Sequence, residues 1–415
     1  MTDVNTLDAF GRDYARLAFG IEQHMPGFID AWLGSPEERA HLTPEHATPE
    51  ELVRQAEALQ ASLATWDVPE TRRDYASRQV TAMLTNARRI AGERLPYRDE
   101  VRQLFDIEPV ARPEAEFDAA IADLDHLLPG DGAVQERMAT WREQYVVSPE
   151  VARQLVDRIL PVLRERTLPI VDLPEDEAIE IRMVQNEPWS GYNWYLGKAR
   201  SRVDLNTDLP IYAYRLTELL AHECYPGHHT EHALKERLYT EDGLGEQALQ
   251  LINTPECLIS EGIATSAEGM IFTPEELAQF RRDEVYAPAG IAGDPERELA
   301  IEHARRALGA VPCNAALLLH EAGASDDEVV AYLQRYALST EPEARKRFSF
   351  IANPLWRAYI FTYDVGHTLV SAWLNVDNGL SRCEKFHRLL TEQITPSQLT
   401  ADLVAAGSAT TAPHA

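Results

Sequence analysis

The sequence predicts a mainly α-helical protein with one small mixed β-sheet. Ser or Thr followed by Pro recurs along the chain, and this pair supplies an N-cap side chain and then a first helical residue that needs no N–H donor. Apolar residues recur at alternating steps of three and four, which is the spacing of one helical face. Only the stretch from 179 to 207 has the alternation of strands, with breakers between them.

The individual helices follow from these two signals in chain order. Ser/Thr-Pro pairs stand at Ser35, Thr43, Thr48, Ser148, Thr254, Thr273 and Thr395. After Thr48, Thr273 and Thr395 a Glu or Gln three residues later predicts a capping box. Apolar periodicity predicts helices within 7–33, after Thr48, within 75–95, after Ser148, and within 325–338 and 359–374.

The length of 415 residues exceeds what one hydrophobic core usually holds. We expect a helical N-terminal lobe over residues 1–170 and a catalytic region over 171–406, which contains the sheet and the motifs discussed below. Residues 407–415 have no apolar periodicity, and we expect this tail to be frayed.

The charge balance excludes one class of partner. The chain has 39 Lys and Arg against 67 Asp and Glu, which gives a formal net charge of −28. Nucleic-acid binding draws much of its affinity from cations that neutralise phosphates, so we expect no nucleic-acid partner. A metal ion or a cationic ligand is attracted by the same surface.

The cysteines and the apolar segments predict a location. Four scattered cysteines show neither a disulfide framework nor metal-binding CxxC spacing, which is typical of a reducing compartment. The first residues are acidic and lack the apolar core of a secretory signal, and no stretch reaches 18 consecutive apolar residues. We therefore expect a cytoplasmic protein without membrane association; the oligomeric state is left open.

The most informative segment is TELLAHECYPGHHTEH, in which four of the 13 histidines lie within eleven residues. His222 followed by Glu223 is typical of zinc hydrolases whose two histidines lie at i and i+4 on one helix, with the glutamate as general base. Position i+4 is here Pro226, which cannot bind a metal and interrupts the helix. The plain HExxH motif is therefore absent.

The Pro-Gly pair leaves two candidates for the second histidine ligand. A bulge or kink at Pro226 and Gly227 can bring His228 beside His222. In an unbroken helix His229 lies about 10.5 Å along the axis from His222, too far for one zinc ion. This geometry favours His228 without excluding His229, and His228 with His232 forms a rival i, i+4 pair.

A third ligand is expected from a separate helix that begins after Thr254. This helix carries the run SEGIATSAE, in which Glu261 and Glu268 project from one face. Small residues at 262 and 264 permit a close approach to a neighbouring helix. Either glutamate is a candidate ligand, and Glu268 is also a candidate anchor for a substrate amine.

These motifs resemble those of a known family. The run from His222 to His229 resembles the HExxPGHH motif of the bacterial "domain of unknown function 885" family, metallopeptidase-like proteins related to the gluzincins. EGIA with Glu268 resembles the family's EGWAxYxE motif, and Tyr363, Gly366 and residues 386–390 resemble its C-terminal helices. The likeness covers about half of the chain. Thr230 and Glu231 stand where the family usually has Leu and Gln.

The resemblance implies a gluzincin-like helical fold and one zinc ion per chain, held by His222, His228 and Glu261, with Glu223 as general base. The resulting hypothesis is a metallopeptidase that cleaves the amide bond of small peptides. The alternatives are a non-peptide amide or ester hydrolase of small-molecule metabolism and a non-catalytic metal- or ligand-binding relative. An intact Glu223 argues against the last, because a metal binder does not need that base.

Four further residues are candidates for supporting roles. Tyr363 or His367 could donate a hydrogen bond to the oxyanion of the tetrahedral intermediate. Arg202 could bind a substrate carboxylate beside an edge strand formed by residues 201–207. His229 is a candidate for a role behind the metal ligands.

Overall fold

The computed structural model describes residues 7–187 and 191–407, so most of the predicted tail lies outside the described residues. The prediction of a mainly α-helical fold with a small mixed sheet is confirmed. Helices α1 to α8 span Ala9–His24, Pro36–Leu42, Pro49–Ser62, Glu70–Ile90, Tyr97–Phe105, Glu114–Leu127, Val134–Glu143 and Pro149–Thr167. Strands β1 to β7 span Ile29–Trp32, Val146–Val147, Ala178–Val184, Gly191–Gly197, Arg200–Asn206, Ile211–Tyr212 and Leu249–Leu251.

The second half of the chain supplies thirteen more described helices. Helices α9 to α21 span Ala213–Glu223, His228–Thr240, Pro255–Ser266, Glu268–Ile271, Pro274–Phe280, Ala287–Ala289, Pro295–Arg305, Val311–His320, Asp326–Tyr336, Glu341–Ala352, Phe361–Asn375, Arg382–Thr391 and Pro396–Ala405. Short 3-10 turns occupy Leu63–Thr65, Gly245–Ala248 and Arg306–Ala310, and a π-helical turn occupies Arg281–Tyr286. None of the described helices combines the length and the apolar character needed to span a membrane.

The Ser/Thr-Pro pairs mark helix starts at six of their seven positions. Thr48 and Thr273 form the predicted capping boxes of α3 and α13, and Thr395 accepts a hydrogen bond from the Gln398 amide at the start of α21. Thr43 is the exception, because it follows the last residue of α2 and its hydroxyl donates to the Arg39 carbonyl.

The predicted sheet lies between 178 and 206 and has the strand order β3-β5-β4. Strand β3 is parallel to β5, and β4 is antiparallel to it. Because β5 has a partner on each side, the expectation that residues 201–207 form an edge strand is wrong. The edge strand that contacts the histidine-rich segment is β4, where Asn193 donates a hydrogen bond to the Glu223 carbonyl.

The apolar pattern over 7–33 forms a helix only in its first part. Helix α1 ends at His24, and β1 follows as a strand that pairs antiparallel with β7. Backbone hydrogen bonds to a strand far along the chain therefore determine the conformation of residues 29–32. This pairing brings a segment of the N-terminal region to the side of β4.

The hydrophobic core crosses the predicted lobe boundary. One cluster of buried side chains contains Leu17, Leu104 and Leu163 from before residue 170, together with Leu216 and Val311 from after it. A smaller cluster lies among α11, α19, α20 and α21. The division at residue 170 stays a prediction.

Helices α11 and α19 cross at two glycines. A Cβ atom on Gly262 would lie 2.6 Å from the Gly366 carbonyl oxygen, and one on Gly366 would lie 2.6 Å from the Leu258 carbonyl oxygen. Only a residue without a side chain permits this contact. The close crossing places the residues that precede α19 against Glu261 of α11.

Candidate metal centre

The Pro-Gly pair separates two helices rather than bending one. Helix α9 ends at Glu223, the Tyr225–Pro226 bond is cis, and α10 begins at His228. The Gly227 amide donates a hydrogen bond to the Ala221 carbonyl at 2.9 Å. A Cβ atom on Gly227 would lie 1.9 Å from the His222 carbonyl oxygen, so this return of the chain requires glycine.

The break brings the two predicted histidine ligands together. The rings of His222 and His228 lie 4.7 Å apart between centroids, with their planes at 90°. Ligand atoms of His222, Glu223 and His228 all lie within 4.8 Å of one another. His222 Nε2 also lies 3.6 Å from Oε2 of Glu261. Two imidazoles and two carboxylates from α9, α10 and α11 thus converge.

Burial keeps both imidazoles in the neutral form that binds metal ions. It lowers the pKa of His222 to about 4, with a smaller contribution from Arg215, whereas Glu218 raises it. Burial, together with the neighbouring histidines, lowers the pKa of His228 well below its usual value. Near neutral pH each ring is therefore uncharged and has one nitrogen with a lone pair available to a metal ion.

The two carboxylates are held in an environment that disfavours their negative charge. Burial and the nearby Glu261 and Asp30 raise the pKa of Glu223 to about 8, and burial raises the pKa of Glu261 to about 7. Oε2 of Glu261 is buried and has no hydrogen-bond partner among the described residues. A divalent cation would stabilise the negative charges of both carboxylates and give the unpartnered Glu261 oxygen a partner. These residues therefore fit a bound zinc ion.

Residues behind His228 orient its ring. Its Nδ1 lies 3.1 Å from Oγ of Ser260, which donates a hydrogen bond to Glu231 at 2.5 Å. Lys235 donates to the other oxygen of Glu231 at 2.8 Å. This network leaves Nε2 of His228 as the ligand atom, a common arrangement behind metal-binding histidines.

The rival pair of His228 and His232 is disfavoured. Their rings are nearly parallel, with centroids 5.7 Å apart, and Glu231 lies within the same possible ligand group. Glu231 is already bound to Lys235 and Ser260, whereas Glu261 presents an unpartnered oxygen. The set of His222, His228 and Glu261 therefore fits a metal ion better than the rival set does.

Sequence reasoning missed a tyrosine that holds Glu261, the third candidate ligand. Tyr359 donates a hydrogen bond to Oε1 of Glu261 at 2.8 Å. The predicted catalytic residue Tyr363 lies next to it, with ring centroids 5.6 Å apart, and lines the same cavity with 40% of its surface exposed. The i, i+4 spacing of the two tyrosines could have indicated Tyr359, because residues with this spacing lie on one side of a helical chain.

His229 does not point toward the candidate metal ligands. Its Nδ1 lies 2.8 Å from Oγ of Ser201, and its Nε2 lies 3.1 Å from a carboxylate oxygen of Glu177. Both ring nitrogens therefore have hydrogen-bond partners, Ser201 and Glu177, on the side of the ring that faces the sheet. The alternative with His229 as second ligand is wrong, because the helix break turns this ring away from His222.

Glu268 is likewise outside the site. It forms an ion pair with the fully buried Arg281 at 3.2 Å, and Arg281 also contacts Glu298 and Glu302. The predictions of Glu268 as a ligand or amine anchor are wrong, because this cluster holds its carboxylate away from the cavity that contains His222.

Arg202 and His367 are not among the described residues that line the cavity either. Arg202 lies on the central strand β5, where it pairs with Asp204 at 3.1 Å and stacks over the Trp194 ring. His367 is a half-buried residue of α19, and burial lowers its pKa to about 4. The predicted roles in carboxylate binding and oxyanion stabilisation are therefore wrong for these two residues.

The converging ligands line a cavity of about 530 Å³. Its walls come from β1, β4, α9, α10, α11 and the segment that leads into α19. Asn193 of β4 donates a hydrogen bond to the Glu223 carbonyl at 2.6 Å and so ties the end of α9 to the sheet edge. This volume lies within the range of small-molecule sites.

Comparison with known proteins shows the fold and no family. No protein-family model and no curated protein matches the chain. The crystal structure of a "putative lipoprotein" from Colwellia psychrerythraea matches with a TM-score of 0.54 and 16% identity, covering 93% of this chain and 68% of that one. A "putative lipoprotein of unknown function" from Shewanella oneidensis has a TM-score of 0.48 at 12% identity, over 95% of this chain and 82% of that one. The family resemblance of the motifs stays a prediction.

The expected cytoplasmic location is contradicted by this comparison, because the Colwellia protein with the similar fold is called a "putative lipoprotein". The expectation rested on the scattered cysteines, on acidic first residues without the apolar core of a secretory signal, and on the lack of 18 consecutive apolar residues. Cys224 and Cys313 are buried, and Cys383 is exposed. All three are free thiols. Buried thiols report local packing and do not specify a compartment.

Proposed function

We propose that the protein is a zinc-dependent hydrolase of amide bonds, a metallopeptidase that acts on small peptides. The observation that carries the proposal is the convergence of His222, His228, Glu223 and Glu261 in one cavity at the helix break. Neutral imidazoles next to buried carboxylates are the donor set of such sites.

His222, His228 and Glu261 would hold the zinc ion. When bound, zinc polarises a carbonyl group and lowers the pKa of a water molecule to about 7. Tyr359 holds Glu261 through the 2.8 Å hydrogen bond, and Ser260 and Glu231 hold His228. The ligands are thus fixed before substrate binds.

The other steps belong to side chains of the cavity. Glu223 accepts the proton of the attacking water and passes it to the leaving nitrogen, a transfer that contributes typically about 10² to 10⁴-fold. Its burial and its position directly after His222 suit this role. Tyr363, at the cavity wall, donates a hydrogen bond to the oxyanion that forms from the carbonyl oxygen.

Metal analysis and one substitution test the proposal. The purified protein is expected to contain about one zinc ion per chain. Glu223→Gln keeps the size of the side chain and removes the base, so it should retain zinc and lose hydrolysis of short peptides. Glu37→Gln, at an exposed position of α2, is the matched control and should retain both.

Two outcomes would contradict the proposal. Absence of zinc, with no effect of His222→Ala on metal content or stability, removes the metal site. Undiminished turnover by Glu223→Gln removes the role of Glu223 as base. Acylated amines and esters, assayed beside the peptides, distinguish a peptidase from a hydrolase of other small molecules.

A further inference from the structure

The charges that line the cavity are strongly unbalanced. Its described lining contains six carboxylates and one ammonium group: Asp30, Glu223, Glu231, Glu236, Glu256 and Glu261 against Lys235. A zinc ion offsets only two of these negative charges. The field inside the cavity therefore favours a ligand that carries positive charge.

The single ammonium group is not available to a substrate carboxylate. Lys235 donates to Glu231 at 2.8 Å and lies 3.5 Å from Glu256. No arginine is present among the described lining residues. The described walls thus lack a free cation with which to recognise the carboxyl end of a peptide.

Glu231 and Glu236 each have two or more described hydrogen-bond donors, whereas Asp30 has one. Glu236 accepts hydrogen bonds from the Tyr195 hydroxyl and the amides of Lys198 and Ala199. Asp30, on β1, accepts a hydrogen bond from the Tyr192 hydroxyl and forms no ion pair with a described residue. Its carboxylate is therefore the one best placed to receive an external cation.

Unpartnered acceptors in the same walls point to a ligand rich in N–H groups. Asn193 is 6% exposed, and its Nδ2 donates to the Glu223 carbonyl, which fixes the orientation of the amide. Its Oδ1 is buried without a partner among the described residues, as is Oε1 of Gln250. Both atoms belong to side chains that line the cavity. A buried acceptor without a donor is costly unless a ligand supplies one.

We propose that the substrate carries a primary ammonium group, which Asp30 binds as the charged anchor and the Asn193 amide oxygen accepts as a hydrogen-bond partner. The enzyme then acts at the free amino end of a peptide or on another aminoacyl amide. The inference rests on the proposed function for its reaction, but the anchor itself binds amines whether or not hydrolysis occurs.

The proposed anchor, Asp30, comes from the N-terminal region of the chain, which therefore contributes to the site. Asp30 reaches the cavity because β1 pairs with β7 and lies beside β4. Burial raises the pKa of Asp30, so the cavity solvates this anion poorly and an ammonium partner restores its favourable environment.

Binding of a matched pair of small probes tests the proposal. L-Leucinamide and N-acetyl-L-leucinamide differ in the charged amine and are titrated calorimetrically into Glu223→Gln protein, so that neither is hydrolysed. The titrations are run with and without one equivalent of zinc. We expect the free amine to bind about 10- to 100-fold more tightly than the acetylated probe, because hydrogen bonds between charged groups are strong.

Substitution of Asp30 tests whether its carboxylate causes the preference for the free amine. Asp30→Asn keeps the shape of the side chain and should abolish the preference for the free amine. Asp67→Asn, an exposed site outside the cavity with the same change in net charge, should leave the preference intact. Thermal unfolding of both variants verifies that they fold.

Three results would overturn the proposal: equal binding of the two probes, a preference that survives Asp30→Asn, and no binding of either probe at millimolar concentration. The proposed hydrolysis fails separately, through absent zinc or turnover that does not depend on Glu223. An amine preference in metal-free protein would support the anchor even if the hydrolase proposal failed.

Discussion

Substitution of Tyr359 by Phe tests whether the hydrogen bond to Glu261 prepares the metal site. The change removes one hydroxyl that donates to Oε1 of Glu261 at 2.8 Å and leaves the ring in place. A hydrogen bond to a charged group contributes about 1.5–3 kcal/mol, and about 1.4 kcal/mol corresponds to a factor of ten. Zinc affinity should therefore fall by about 10- to 100-fold, the range found for residues that support metal ligands.

The assay is a competition between the protein and a chelator of known zinc affinity, followed across pH. The hydrogen bond from Tyr359 lowers the pKa of Glu261, which burial raises to about 7. Without this bond the carboxylate protonates at higher pH, so the defect in zinc binding should grow as the pH falls. Tyr332→Phe, which removes a hydroxyl that accepts from Asn314, is the control. Unchanged zinc affinity in the Tyr359 variant would refute the reasoning.

Three other predictions concern packing and charge. Gly262→Ala should lower the free energy of unfolding by about 1–3 kcal/mol in urea titrations, because the new Cβ meets the Gly366 carbonyl; equal stability would show that the helices can separate freely. Burial opposes ionisation of Glu177, but hydrogen bonds from His229, Tyr225 and Arg164 lower its pKa to about 2. Because this folded-state pKa lies below the unfolded value, its contribution is present above pH of about 4.5 and is lost as the pH falls toward 2. The stability difference between wild type and Glu177→Gln should therefore shrink over that interval, and a constant difference would contradict the assignment. Arg281→Met leaves Glu268 and Glu298 without their cation, so it should destabilise the fold by about 3–5 kcal/mol without loss of zinc stoichiometry; an equal loss of zinc would place the cluster in the metal site.

Local signals in the sequence predicted the helix starts and the histidine pair. The side chain of Ser148 caps α8, and Thr48 forms the capping box of α3, because such caps depend on residues within one turn. The juxtaposition of His222 and His228 follows from Pro226 and Gly227 between them. These features need no information from distant parts of the chain.

Contacts between distant segments escaped prediction. Residues 29–32 continue a helical pattern but form β1 because β7 offers a strand partner. Tyr359 reaches Glu261 only through the crossing of α11 and α19. Glu268 shares a helical face with Glu261 in the sequence, yet the buried Arg281 holds it elsewhere. Each error concerns a partner that sequence spacing does not reveal.

A crystal of the protein soaked in zinc, with anomalous diffraction recorded at the zinc edge, tests the central claim most directly. We expect one anomalous peak per chain, within bonding distance of His222 Nε2, His228 Nε2 and Glu261 Oε2, and its loss in His228→Ala. A peak between His228 and His232 instead, or no peak at the helix break, would contradict the account.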